Sequence, residues 1–203
     1  VFFFLTFLVQ GSSFLNPRAY AILHRLHHKH SDTEKDPHSP EFSKNIIMLN
    51  INTVKHYESV RRDKKDYSKY DYNVPRWESL EKFSDHWITR VFFIAFYTLV
   101  YVTYSTSTWQ YMLLPIHFVM GPLHGSIVNW CGHRYGYVNH KKTNDKSKNT
   151  LPFDFLMMGE LFQNNHHWKP KSINFSSRWF EIDPGFLFTK ILNKINMIRI
   201  NNG

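Results

Sequence analysis

The sequence predicts an all-α integral membrane protein, a transmembrane hairpin with a cytoplasmic, histidine-rich helical cap, built as one domain over residues 1–203. Three observations predict it. Between Arg90 and Arg134 the chain carries no Asp, Glu, Lys or Arg, and two apolar runs, Trp87–Tyr104, uncharged after Arg90, and Trp109–Trp130, are each about long enough to span a bilayer as a helix. His24, His27 and His28 are spaced i, i+3, i+4, and Gln163, His166 and His167 repeat that spacing, which places each trio on one helix face. Aromatic residues make up 17% of the chain, which suits lipid or acyl contact. The mean hydropathy is nevertheless -0.42, so the membrane part is a minority flanked by long aqueous segments.

Taken in order, Val1–Val9 is apolar but shorter than the roughly 20 residues a spanning helix needs, and reads as the end of one. The chain opens on Val rather than Met, with no basic segment before the apolar run, so an upstream part is expected to be missing. Gln10–Pro17 ends that helix. Arg18–His30 reads as a helix bearing the first histidine stripe, and the Asp36-Pro37 and Ser39-Pro40 steps break it into a loop. A moderately apolar helix is expected from Phe42 to about Val60, followed by a mixed charge run, Arg61–Asp71, expected to be a solvated face. Trp87–Tyr104 is the first spanning helix, Ser105–Thr108 a tight turn, and Trp109–Trp130 a second span kinked by Pro115, Gly121 and Pro122. The tail after Asp183 sets Phe186, Ile191, Ile195 and Ile198 against Lys190, Lys194 and Arg199, the pattern of an interfacial amphipathic helix.

Charge orients the hairpin. Thirteen Lys and Arg lie in residues 18–86 and eleven from Arg134 onward, with none in the turn between the two runs, which places both polar segments (18–86 and 131–203) on the cytoplasmic side. The net charge of +9 does not indicate nucleic acid, because the basic residues are not interleaved as a reading motif; acidic headgroups or a phosphate-bearing substrate serve equally well. Cys131 is the only cysteine, which excludes a disulfide within the chain and a cysteine-based metal site.

The chemistry lies in the histidines. A third stripe, Asn129 and His133 at i, i+4, closes the second spanning run, and three stripes on one membrane side favour a polynuclear metal site. Asp32 and Asp36 can accept ring N–H bonds that fix the ligand tautomers, and His38 can support the ligands from outside. His56, His86 and His140 read as surface residues. His117 and His124 fall within the second span, and Asn129 and His133 lie about 140° and 180° around the helix from His124, so both are left out of the site. Imidazoles without thiolates leave Zn, Cu and Fe open. A surplus over the four ligands that zinc needs argues for two ions, and two irons facing an apolar cavity would suit oxidation of an unactivated C–H bond with dioxygen.

The segments HRLHHKHSDTEKDPHSP, NWCGHRYGY and QNNHHWKP closely resemble the second, intervening and third histidine motifs of membrane fatty acyl desaturases of the stearoyl-CoA type, particularly the bacterial ones. The resemblance extends from QGS before the first stripe to RWFEID after the last. It implies a cytoplasm-facing di-iron centre that introduces a cis double bond into a saturated acyl chain, using dioxygen and two electrons from a donor protein of ferredoxin or cytochrome type. His24, His27, His28, His133, His166 and His167 match the family's iron ligands, Asn129 matches the residue that reaches iron through water, and Gln163 stands where many members have His. The family's earliest motif, an HxxxxH-type pair, would precede Val1. Two other readings remain: hydroxylation on the same scaffold, and non-catalytic binding or transport of divalent metal. Transport is disfavoured because only His117 and His124 are ionisable between Arg90 and Cys131.

Overall fold

The computed structural model describes residues 2–74 and 76–200; Val1, the first residue of the expected helix end, lies outside them. Among the described residues the regular structure is helical and no strand forms: α1 (Phe2–Gln10), α2 (Pro17–His30), α3 (Ile46–Arg61), α4 (Glu78–Asp85), α5 (Trp87–Tyr104), α6 (Leu114–Phe118), α7 (Met120–Arg134), α8 (Gln163–Trp168) and α9 (Pro184–Lys194). The chain divides into two compact units. One comprises the chain up to Lys29 together with Asn50–Gly125, and the other comprises His30–Leu49 with the chain from Ser126 onward.

In the first unit Pro17 opens α2, where its missing N–H and fixed φ suit the first turn. The Asn16 side chain accepts the N–H of Ala19 at 3.0 Å and caps the helix. Ala19, Ile22 and Leu23 form one stripe of α2 and bury against Val60. The charge run after α3 is only partly a solvated face: Arg18 reaches Asp63 at 2.9 Å and Asp71 at 2.7 Å, and Arg25 donates to the carbonyls of Tyr70 and Tyr72, so the run pins the outer side of α2. A second core joins Phe7, Phe14 and Phe93, with the Phe7 and Phe93 rings edge to face at 5.3 Å. Beside it Arg90 donates to the carbonyls of Ser12 and Phe14, both at 2.9 Å, and pairs with Asp85 at 3.0 Å. The helix α4, ESLEKFSD, is short but amphipathic, with Leu80 packed on the Phe7–Phe14–Phe93 core and Ser84 buried, and it is held by buried Glu81, which accepts from Asn16 Nδ2 and Trp77 N.

The helix α5 is long and apolar enough to cross a membrane, and Phe92, Leu99 and Val102 on it are exposed. The second apolar run differs from a single kinked helix. It comprises a 3₁₀ turn at Thr108–Leu113, then α6, then α7, with a bend of 79° at the break. Pro115 and Pro122 fall in the first turns of α6 and α7, where proline starts a helix instead of kinking one.

In the second unit three isolated bridges, Tyr137 to Asn149, Asn149 to Phe162 and Phe153 to Ile182, tie the segments around α8. The buried Asp154 carboxylate accepts the N–H groups of Met157, Gly159 and Leu161 and shapes the turn that leads into α8. Asp183 caps α9 by accepting Phe186 N at 2.9 Å, and Leu187, Phe188 and Ile191 are exposed along that helix, as an amphipathic tail requires.

Candidate metal centre

In the first unit, α2 presents His24, His27 and His28. His27 is buried at 1% exposure, next to the stripe that faces the core. The Nε2 atoms of His24 and His28 approach to 3.1 Å, with ring centroids 4.5 Å apart, and Tyr20 stacks on His24. One helical turn therefore aims two ring nitrogens at one point, an arrangement suited to holding a single cation.

In the second unit, the last turn of α7 carries His133, also 1% exposed. Its Nδ1 bonds Asp32 Oδ2 at 2.8 Å, and the same oxygen accepts Lys146 N at 2.8 Å. From α8, His167 bonds Asp145 Oδ2 through Nδ1 at 2.6 Å, while Ser147 donates its N–H to Asp145 Oδ1 at 3.0 Å. The His133 and His167 rings lie 5.0 Å apart, and His166, buried against Phe175 at 4.4 Å, follows at 5.9 Å from His167. A carboxylate on Nδ1 makes that nitrogen the N–H donor and leaves Nε2 as the coordinating atom, so Asp32 and Asp145 select one tautomer in each ring. Burial alone would raise both carboxyls. The hydrogen bonds from His133 and Lys146 N on one carboxylate, and from His167 and Ser147 on the other, outweigh it and hold Asp32 below, and Asp145 well below, the ordinary carboxylate range. Burial lowers the His167 imidazole in turn, favouring the neutral form that a metal requires.

Two glycines of NWCGHRYGY explain why α8 sits against α7. A Cβ on Gly132 would stand 2.3 Å from Gln163 Cγ, so only glycine admits the first residue of α8 beside His133. Gly136 has φ +123° and would meet the Asn149 carbonyl oxygen at 2.1 Å, where Tyr137 and Asn149 exchange backbone bonds of 3.0 and 2.8 Å.

The second unit thus brings together His133, His166, His167 and Asp32. Asn129 is half-buried one turn before His133 on α7, and buried Gln163 opens α8, its Nε2 donating to the Glu160 carbonyl at 2.6 Å. Asp36 accepts the backbone N–H groups of Asp32 and His38 at 2.9 and 3.0 Å, which folds the loop that presents Asp32, and His38 is buried there. Outside the donor set, His117 stacks on Tyr97 at 4.5 Å, and His140 stacks on Trp168 and meets the Ser177 hydroxyl. Sequence reasoning missed Asp145. It lies in the polar loop KKTNDKSKN, which carries no periodic signal, and its partner is 22 positions away. A cleft of about 590 Å³ in this unit is lined by His133 and Asp145 together with Arg134, Lys141, Lys146 and Lys148.

The donor set fits a transition metal: several imidazoles, no thiolate among them, and carboxylates behind two of the rings. A family model described as fatty acid desaturase matches residues 2–180. The chain is 26% identical over 185 residues to an sn-1 stearoyl-lipid 9-desaturase of Synechocystis sp., covering 87% of this chain and 53% of that protein. It is 29% identical over 176 residues to the Delta-9 desaturase-like 2 protein of Arabidopsis thaliana, covering 83% and 54%. It is 28% identical over 154 residues to an acyl-CoA Delta(11) desaturase of Choristoneura rosaceana, covering 72% and 44%. The chain therefore spans about half the length of the curated relatives it matches. No solved structure matches it. With carboxylate-backed histidines at the positions of the family's motifs, and a family match over most of its length, this chain belongs to the fatty acid desaturases.

Proposed function

We propose that the protein is a di-iron, dioxygen-dependent fatty acyl desaturase that introduces a cis double bond into a saturated chain. The observation that carries this is the pair of buried imidazole–carboxylate couples, His133–Asp32 and His167–Asp145, in a chain of this family. His24, His27, His28, His133, His166 and His167 are the residues that would hold two irons, with Asn129 and Gln163 as weaker oxygen donors and His38 and Asp36 supporting the loop that carries Asp32. Bound iron supplies the dioxygen activation that side chains cannot perform unaided. The protein's own residues do the rest. Asp32 and Asp145 hold the ring protons on Nδ1 and fix both imidazole planes, and burial excludes water from His27, His133 and His166.

The overall reaction takes one hydrogen from each of two neighbouring methylenes and reduces one dioxygen to two waters with two further electrons and two protons. A reduced carrier protein of ferredoxin or cytochrome type is therefore a necessary partner. The exposed apolar surface of α5 supports a membrane location, and we read α5 with the broken run from Thr108 to Arg134 as a hairpin whose polar flanks face the cytoplasm.

The test is to purify the full chain in detergent, quantify iron, and supply acyl substrate, dioxygen and a reduced donor, reading products by mass spectrometry. Two irons per chain and a product lighter by two hydrogens are expected. A product heavier by one oxygen would place the chain among hydroxylases, and metal binding without dioxygen consumption would reduce it to a metal-binding protein.

A further inference from the structure

The segment RWFEID, which follows the last histidine motif, contains a carboxylate that the metal-binding reading leaves without a task. Glu181 is 6% exposed and lies one residue beyond the stretch that the family model covers. Oε1 accepts from the Tyr137 hydroxyl at 2.8 Å and Asn139 Nδ2 at 2.6 Å. Oε2 accepts from Asn165 Nδ2 at 2.9 Å, Ser177 N at 2.5 Å and Arg178 N at 2.9 Å. Three separate segments thus converge on one side chain. The Asn165 amide is used in full. Its oxygen accepts from Asn139 Nδ2 at 2.8 Å and Asn149 Nδ2 at 3.0 Å, and its nitrogen donates to the Phe175 carbonyl at 2.8 Å as well as to Glu181.

This matters because Asn165 directly precedes the pair His166–His167 on α8. A helix of six residues does not hold its shape alone, since nucleation costs more than so few bonds return. No side chain caps the start of α8. Its register is set by what grips it from outside, and Asn165 is gripped on both of its amide atoms.

We propose that Glu181 is a positioning residue for the metal centre: its carboxylate orients Asn165 and thereby fixes the rotation of α8 that presents His166 and His167. The inference rests on the reading that these two histidines ligate metal. Burial would raise the Glu181 carboxyl, but its backbone and side-chain donors hold it below the ordinary range, so the group works as an anion accepting hydrogen bonds. Glutamine at this position would turn an N–H₂ toward donors and cannot satisfy them.

The test measures Co(II) affinity and its visible ligand-field bands, without turnover, on the detergent-solubilised full chain, comparing wild type with Glu181→Gln and Asn139→Ala. Glu181→Gln is expected to weaken Co(II) binding by about 10- to 100-fold and to shift the bands in the protein that remains folded by circular dichroism. Asn139→Ala, which deletes a donor to both Glu181 and Asn165, is expected to weaken it by about 3- to 10-fold, and it decides the matter if Glu181→Gln does not fold. A purely structural role would lower the melting temperature and leave the affinity and spectrum of the folded protein unchanged. That result in either folded variant overturns the proposal. Failure of the wild-type chain to bind Co(II) or iron would instead remove the metal-binding reading beneath it.

Discussion

The two histidine-bearing helices solve the same problem by opposite means. The first, α2, is 14 residues long, capped by Asn16, and buries Ala19, Ile22 and Leu23 in a core of its own; its imidazoles ride on a rod that folding has already fixed. The second, α8, is 6 residues long with four successive buried polar side chains, Gln163 to His166, and depends on hydrogen bonds from loops. In one case hydrophobic burial places the ligands, and in the other buried polar networks do. The two should therefore fail differently: α2 through loss of packing, α8 through loss of a hydrogen bond or of close approach.

The largest effect is expected at Gly136→Ala, which forces a side chain into a positive-φ position against the Asn149 carbonyl and should cost about 3 kcal/mol or more in denaturant unfolding of the solubilised chain. Ile22→Ala, in the fully buried core beneath α2, is expected to cost about 2–4 kcal/mol while metal affinity of the folded protein stays within a few-fold. Equal loss of affinity and stability there would erase the contrast between the helices. Asp145→Asn should weaken metal binding by about 10- to 100-fold, read by equilibrium dialysis, and should also lower stability by about 1–3 kcal/mol through the lost anion behind His167. Unchanged affinity would mean that the carboxylate behind His167 only folds its loop.

The smallest effect is one of pH. Burial, and then the charges of Asp183 and Asp154, raise the Glu160 carboxyl to about 7. The folded state therefore binds its proton more tightly than the unfolded chain does, and stability falls as pH rises from the ordinary glutamate range to about 7. Glu160→Gln is expected to flatten that part of the pH profile by about 1–2 kcal/mol, leaving acid stability unaltered. A profile that stays unchanged in the variant assigns the slope to another group.

The features legible in the sequence are those carried by short-range periodicity. The i, i+3, i+4 spacing of His24, His27 and His28, the uncharged run of α5, and the family motifs in which His133, His166 and His167 stand are each continuous in the sequence, from one helical turn to about four. What was not legible depends on distant partners. Asp145 sits in a polar loop and becomes meaningful only beside His167, and Glu181 gathers donors from as far back as Tyr137. The kink expected from Pro115, Gly121 and Pro122 is instead a break at Val119, because proline signals both helix interruption and helix start, and only the backbone decides between them. The helix α4 is hard to read from the sequence because its amphipathic pattern runs for only eight residues with two large apolar side chains, Leu80 and Phe83, and its buried Glu81 is held by Asn16, 65 positions earlier.

Arg90 carries a consequence for the bilayer itself. Its guanidinium is committed to the Ser12 and Phe14 carbonyls and to Asp85, so it is not free to snorkel along α5 toward water. If α5 spans as proposed, its uncharged length from Val91 to Tyr104 is about 21 Å at 1.5 Å per residue, against a hydrocarbon core of roughly 30 Å. Because the guanidinium is already neutralised by Asp85 and bonded to two carbonyls, it can lie below the headgroups, and the whole of Trp87–Tyr104, about 27 Å, is then available to the span.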